Sequence, residues 1–127
     1  MTIEVLPQAF SVCKVETLSP ELLAGEFCFC GRTDSELSLV CRTEAVPART
    51  LAREDGWRGL RVCGQLDFSL VGILAELSRV LAEQGISIFA LSTYDTDYIL
   101  VRADRIQDTV SALRRAGFQV IMAHSAT

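Results

Sequence analysis

Two short stretches of the chain carry residues whose types and spacing can do chemistry. The first, QLDFSLVGILAEL (65–77), reads as the end of a strand, a polar turn and the start of a helix. The unpaired N–H groups at a helix start carry partial positive charge and suit a carboxylate. A glycine inside a helix costs ~1 kcal/mol relative to alanine. Gly72, placed in the first helical turn, therefore indicates close approach of a ligand or tight packing of helix on sheet.

The second stretch is STYDTDYILV (92–101), in which Asp95 and Asp97 are two residues apart and lie beside Thr93 and Tyr94. On a tight hairpin such carboxylates can face solvent, or one can bind an ammonium or guanidinium group, because charge-assisted hydrogen bonds are the stronger ones. Two neighbouring carboxylates can also perform acid–base chemistry or hold Mg²⁺. Neither a third ligand nor a nucleophile with its base is recognisable nearby, so catalysis is the weakest of these interpretations.

The composition favours a binding module over an enzyme. The chain has 127 residues with a formal net charge of -4, from 12 basic and 16 acidic residues. It has no Lys/Arg block, so we expect no nucleic-acid partner. Its one histidine, His124, makes a histidine-based triad or a multi-histidine metal site improbable. We expect neither a metal nor a cofactor.

The cysteines favour buried structural thiols in a reducing compartment. Their number, five, is odd, no CxxC pair occurs, and all lie in strand-like apolar segments: Cys13, Cys28, Cys30, Cys41 and Cys63. The N-terminus shows no secretory pattern, and no apolar run approaches the ~18 residues of a membrane span. The expected location is the cytoplasm, without a membrane partner.

Hydrophobic periodicity from residue 60 onward predicts the order βαββαβ. Apolar residues recur at helical spacing in Leu70–Gln84 and Arg105–Ala116, which end at Gly85 and Gly117; Asp104 and Gln107 form a capping pattern for the second helix. The predicted strands are Leu60–Leu66, Ile86–Leu91, Tyr98–Val101 and Phe118–Met122. This order is the α+β, ferredoxin-like arrangement, an antiparallel four-stranded sheet with two helices on one face.

The first half of the chain reads as a shortened copy of the second. A shift of 61 residues places FCFCGRTDSELSLV (27–40) on IFALSTYDTDYILV (88–101), with Asp34, Leu39 and Val40 matched identically. Only a short helix fits before Glu26, so 1–56 reads as a truncated βαββα unit. We predict a truncated N-terminal unit, 1–59, and a complete unit, 60–127. A strand near Trp57–Leu66 would end the first unit and begin the second. The two units would then form either two sheets placed edge to edge or one continuous sheet.

The segment VGILAELSRVLAEQGISIFALSTYDTDYILV (71–101) resembles ACT domains. It closely resembles bacterial tandem-ACT proteins related to the cytosolic arginine-sensor family and to the regulatory domain of aspartate kinases. FSVCKV, ELSLVC and DFSLVG add to the resemblance, which covers nearly the whole chain. It implies a tandem pair of βαββαβ ACT folds with a shortened first copy, and an allosteric, non-catalytic domain that binds an amino acid between ACT units.

The resemblance also implies which residues bind the ligand. The strand–helix turn would hold the α-carboxylate through its backbone N–H groups: Asp67, Phe68, Ser69, Leu70, Val71, Gly72 and Ile73. Asp97 would face a cationic ligand group, flanked by Thr93 and Tyr94. Glu36 takes the equivalent place in the first copy, where the short helix argues against a second intact site.

The sequence thus predicts a stand-alone regulatory protein that binds an amino acid and forms a homodimer. The acidic residue at position 97 favours a cationic amino acid. The signal would pass to an unidentified protein target. Two alternatives stay open. One is a module that only dimerises or binds proteins. The other is a small ferredoxin-like enzyme using Asp95 and Asp97.

Overall fold

The computed structural model describes residues 1–63 and 72–123, which form seven strands and three α-helices. The strands are β1 (Thr2–Lys14), β2 (Phe29–Arg32), β3 (Leu37–Arg42), β4 (Ala52–Val62), β5 (Phe89–Ser92), β6 (Asp97–Arg102) and β7 (Gln119–Met122). The helices are α1 (Pro20–Ala24), α2 (Ile73–Glu83) and α3 (Ile106–Arg115), with 3₁₀ turns at Thr43–Ala45 and Ala103–Arg105. Within the described part of the chain, no helix is long and apolar enough to cross a bilayer.

The chain divides into two compact units. The C-terminal unit comprises Met1–Pro7 and Arg58–Thr127, and the central unit comprises Gln8–Trp57. The predicted division was a single cut at 59/60. The difference arises because the first residues of β1 belong with the C-terminal unit, so that β1 and β4 each contribute residues to both units.

The C-terminal unit confirms the predicted βαββαβ order, as β4-α2-β5-β6-α3-β7. Its strand order is β7-β1-β4-β6-β5. The sheet therefore has one strand more than the predicted four, because Thr2–Val5 of β1 pairs with β7. That pairing is parallel, whereas β5 and β6 form the expected antiparallel hairpin with Ser92 opposite Asp97.

The core of the C-terminal unit lies between this sheet and the inner faces of α2 and α3. The predicted helical stripes are confirmed, since Leu77, Val80 and Leu81 of α2 are buried together with Val110 and Leu113 of α3. Burial of each such side chain stabilises the fold by about 1.5–3 kcal/mol. The sheet contributes Ile3, Val5, Leu60, Val62, Ile99, Val101 and Val120 to the same cluster.

Both long helices end at glycine, as predicted. Gly85 has a φ of 70° and Gly117 a φ of 98°, a left-handed backbone that favours glycine. The N–H of Ile86 bonds the Leu81 carbonyl at 2.9 Å and that of Phe118 bonds the Leu113 carbonyl at 3.0 Å, so the last carbonyls of each helix are satisfied.

The predicted helix starts are wrong. Asp104 lies in a 3₁₀ turn instead of capping α3, whose N-cap is Arg105 without a side-chain cap bond. Helix α2 begins at Ile73, so Gly72 is its N-cap residue and does not lie in the first turn. Gly72 has a φ of 91°, and a Cβ added there would meet nothing within 4 Å. The left-handed backbone, not tight packing, therefore explains the glycine.

The central unit has the strand order β2-β3-β1-β4 and the five-residue helix α1, as short as the sequence predicts. The second helix expected for this unit is absent from residues 1–63, where a 3₁₀ turn at Thr43–Ala45 leads to β4. Its side chains Cys13, Val15, Leu37, Leu39 and Cys41 form a separate buried cluster.

The two hairpins repeat each other at a spacing of 60 residues, one less than predicted. Thr33 and Thr93 close their turns in the same way, each donating its N–H to the carbonyl three residues later at 2.9 Å. The residues before the two 3₁₀ turns, Arg42 and Arg102, share a φ of -60° and a ψ of 139°. A slip of one residue would exchange the two faces of a strand, so the spacing of 61 is wrong.

The helical core can be tested with a pair of leucines. Leu113 in α3 is 0 % exposed, whereas Leu23 in α1 is 56 % exposed. We expect Leu113→Ala to lower the free energy of unfolding by about 2–5 kcal/mol, because it opens a cavity. Leu23→Ala should change it by no more than about 0.5 kcal/mol. Urea unfolding followed by circular dichroism measures both, and equal losses would contradict this description of the core.

Candidate functional site

A cleft of about 600 Å³ lies in the C-terminal unit, where β4 ends beside the tip of the β5–β6 hairpin. The strand end contributes Arg61, Val62 and Cys63, and β1 contributes Glu4. The hairpin contributes Asp95, Thr96 and Tyr98. The volume of the cleft lies in the range of small-molecule sites.

The hairpin tip is fixed by hydrogen bonds at its two threonines. The Thr93 hydroxyl donates to the Thr96 carbonyl at 3.1 Å, which supports the backbone bond of the same turn. The Thr96 side chain reaches the neighbouring strand, where its hydroxyl donates to the Val62 carbonyl at 2.7 Å. Because Thr96 is only 8 % exposed, this bond is shielded from water. It holds the hairpin against the end of β4 and so sets the width of the cleft.

An ion pair occupies the strand side of the cleft. Both Nε and Nη2 of Arg61 donate to Oε1 of Glu4, with an Nε–Oε1 distance of 3.1 Å. Burial works against the charged guanidinium, but hydrogen bonds with Glu4 and Tyr98 raise the pKa of Arg61 overall. Charge-assisted bonds of this kind fix an arginine in one orientation. The pair therefore forms a rigid, charge-neutral wall.

The hairpin side of the cleft is acidic. Asp95 is exposed at the turn and forms no ion pair or hydrogen bond with any described residue. With Glu4 and Arg61 neutralising each other, Asp95 gives the described lining residues one net negative charge. That charge suits a cationic group on a ligand.

Of the hairpin residues named from the sequence, Asp95 lines this cleft, whereas the three that the resemblance assigned to ligand binding, Thr93, Tyr94 and Asp97, do not. The Thr93 side chain closes the turn, and Tyr94 is 84 % exposed at the tip. Asp97 accepts a hydrogen bond from the Ser92 hydroxyl at 2.7 Å, directly across the hairpin. The carboxylate that the hairpin brings to the cleft is Asp95.

The predicted strand–helix turn is described only in its last two residues. Asp67, Phe68, Ser69, Leu70 and Val71 lie outside the described residues. Gly72 is exposed, and Ile73 packs partly buried against the core. Neither is among the lining residues of the cleft, whose last residue before the turn is Cys63.

Five lining residues were not singled out by sequence reasoning: Glu4, Arg61, Val62, Thr96 and Tyr98. A charged residue alternating with buried ones along a strand, as at Glu4 and Arg61, marks the solvent-facing side of that strand. The sequence cannot show that these two residues face each other, because they are separated by 57 positions.

The cysteines are not all buried, contrary to the prediction. Cys13 and Cys41 are buried, Cys28 and Cys63 are half-buried, and Cys30 is exposed. Burial raises the pKa of the Cys41 thiol to about 11, with the nearby Cys13 and Cys28 thiols adding to the effect. Across residues 1–63 and 72–123, no group of three or more Cys, His, Asp or Glu side chains is arranged to hold a metal.

The central unit contains a cleft of its own, of about 520 Å³, between the segments that follow β1 and precede β4. Its charged lining residues are Glu16 and Arg49, accompanied by Thr17, Thr50 and the 57 % exposed Leu51. Glu36, the residue that the resemblance assigned to a site in this unit, is exposed at the β2–β3 turn and does not line it.

Comparisons with known proteins relate the chain to one domain family and to several named proteins. The model of the ACT domain family matches residues 52–115. The chain is 38 % identical, over 60 residues or 46 % of its length, to the human and bovine proteins named cytosolic arginine sensor for mTORC1 subunit 1. The aligned part is only 18 % of those relatives.

Solved structures extend the likeness over the rest of the chain. A protein from Agobacterium tumefaciens superposes with a TM-score of 0.88 at 28 % identity, covering 99 % of this chain and 96 % of that one. The regulatory subunit of aspartate kinase from Thermus thermophilus superposes with a TM-score of 0.64 at 11 % identity, covering 91 % and 96 %. At that identity the likeness to the kinase subunit shows a shared fold.

The hydrogen bond between Thr96 and Val62 can be tested by removing one hydroxyl. Thr96→Val keeps the shape of the side chain but leaves the Val62 carbonyl without its donor, so we expect the free energy of unfolding to fall by about 1–3 kcal/mol. Thr17→Val, at an exposed threonine, should be nearly neutral. Chemical unfolding measures both variants. A Thr96→Val protein as stable as the Thr17→Val protein would contradict the anchoring role.

Proposed function

Because the chain belongs to the ACT domain family, we propose that it is a non-catalytic regulatory protein that binds an amino acid in the cleft of its C-terminal unit. The observation that carries this proposal is the position and charge of the cleft. It lies at the end of β4, directly before the strand–helix segment, and its hairpin side presents the Asp95 carboxylate.

In the proposed complex the ligand's two ends are recognised by different elements. The backbone N–H groups of the strand–helix turn, Asp67–Ile73, bind the α-carboxylate, as helix starts bind anions generally. Asp95 binds a cationic side chain, the role the sequence had suggested for Asp97. Arg61 and Glu4 form the strand side of the cleft. The net charge of the lined surface supports a basic amino acid over a neutral or acidic one.

We also propose how binding is converted to a signal. The chain acts as a tandem of two ACT-like units, assembles as a cytoplasmic homodimer and passes its signal to a separate protein. The ligand stabilises one arrangement of the units relative to others and so changes the affinity for that target. The sequence similarity of part of this chain to a protein named as an arginine sensor supports a basic amino acid as the ligand.

Isothermal titration calorimetry tests the proposal directly. We expect L-arginine or L-lysine to bind the wild-type chain, and Asp95→Asn to weaken that binding at least tenfold, about 1.4 kcal/mol, because the cation loses its counter-charge. Asp34→Asn is the matched control, since Asp34 is an exposed carboxylate at the turn of the other hairpin. It should bind as wild type does.

The titration also separates the proposal from its main alternative. If none of the twenty L-amino acids gives heat at millimolar concentration, the ligand-binding function is wrong. The alternative, a module that only associates with proteins, is favoured by β7, where Ile121 is 40 % and Met122 58 % exposed on a strand paired with β1. It predicts a stable dimer in sedimentation that no amino acid alters.

A further inference from the structure

Four of the five cysteines lie on one face of the central sheet. In β1 and β3, Cys13 lies opposite Leu39 and Ser11 lies opposite Cys41, so Cys13 and Cys41 share a face. In β2, Cys30 also lies opposite Leu39. Cys28 precedes β2 and packs against the same cluster as Cys13 and Cys41. The face therefore carries Cys13, Cys28, Cys30 and Cys41.

The strand register directs one pair of these cysteines toward each other. Phe29 at the start of β2 lies opposite Val40, and continuing that register by one residue would place Cys28, directly before β2, opposite Cys41. Directly opposed residues have Cα atoms about 4.5–5.5 Å apart, within the ~4.4–6.8 Å that a disulfide requires. The Cys28 thiol also helps to raise the pKa of Cys41, after burial and the Cys13 thiol, which agrees with its being nearby.

The other pairs in the central unit fit a disulfide less well. Cys13 is diagonal to Cys41, at about 7–8 Å, and β3 separates it from Cys30 by about two strand spacings. Cys28 directly precedes β2 and Cys30 lies within it, two residues further on. At that spacing along extended backbone, side chains run parallel at ~6.6 Å and do not converge. All five cysteines lie among the described residues, and the remaining one, Cys63, belongs to the other unit.

Cys28 is also held in place by the residue before it. Phe27 has a φ of 58°, a left-handed backbone that bulky residues rarely adopt. Its ring packs edge-on against Phe10, with the ring centroids 6.0 Å apart and the planes at 82°. This contact fixes the approach of the chain into β2 directly before Cys28, which packs against the cluster that contains Cys13 and Cys41.

We propose that Cys28 and Cys41 form an oxidisable dithiol, a modification site that takes a small disulfide such as glutathione disulfide as its oxidant. The half-buried Cys28 attacks first as the thiolate, forms a mixed disulfide and releases one molecule of reduced glutathione. Cys41 then attacks the sulfur of Cys28 and releases the second. The two protein thiols are oxidised, the glutathione disulfide is reduced to two thiols, and excess reduced glutathione reverses the reaction.

The environment of the pair makes the reaction slow near neutral pH. Burial raises the pKa of both thiols, and that of Cys41 reaches about 11. Because the thiolate is the attacking species, the rate of oxidation should rise steadily as the pH is raised from 7 to 9 in the assay.

Tryptic mass spectrometry of the full chain reads out the linkage. Cleavage after Lys14, Arg32 and Arg42 separates Cys13, Cys28 with Cys30, and Cys41 onto three peptides. After incubation with glutathione disulfide and blocking of free thiols in denaturant, we expect the peptide 15–32, carrying one blocked cysteine, to be joined to 33–42. The intact chain should lose two blockable thiols and regain them with reduced glutathione.

Matched variants decide which thiols react. Cys30→Ser and Cys63→Ser should each still form the link, whereas Cys28→Ser should form none. Cys28 is only half-buried, so its serine variant is expected to fold, which circular dichroism verifies. The proposal is overturned if all five thiols stay blockable, if glutathione stays attached at Cys30 alone, or if the bond closes within 15–32 between Cys28 and Cys30.

Discussion

The cleft depends on one buried hydrogen bond, from the Thr96 hydroxyl to the Val62 carbonyl. The hairpin is joined to the sheet because β6 lies beside β4, but the tip of a hairpin is normally its most mobile part. The bond fixes that tip on the last residues of β4, and Thr93 closes the turn from the other side. The position of Asp95, one residue before Thr96, is set by the same contacts.

The two hairpins show what this anchor adds. Their strands begin and end at equivalent positions, and their turns are closed by the same backbone hydrogen bond. At the position of Thr96, however, the β2–β3 hairpin carries the exposed Glu36. The hydroxyl that reaches a neighbouring strand is thus specific to the C-terminal unit. The cleft of that unit also contains the Glu4–Arg61 ion pair, which forms a charge-neutral wall. Among the described lining residues, the free carboxylate is that of Asp95.

Local patterns in the sequence predicted the elements, and long-range pairings set the site. The apolar residues that recur at helical spacing through Leu81 and Leu113 identified both long helices. The glycines that follow them identified the helix ends. No local pattern indicates that Thr2–Val5 joins the C-terminal sheet or that Glu4 meets Arg61. The hairpin acids showed where a carboxylate would be presented, but strand pairing decides which one, and it directs Asp97 to Ser92 and leaves Asp95 at the cleft.

The most direct test of this account is a crystal structure of the chain grown with saturating L-arginine or L-lysine. The account predicts electron density for the amino acid in the cleft beside Cys63, with its side-chain cation within hydrogen-bond distance of Asp95. An empty cleft under saturating ligand, or the amino acid bound elsewhere with Asp95 in solvent, would contradict it.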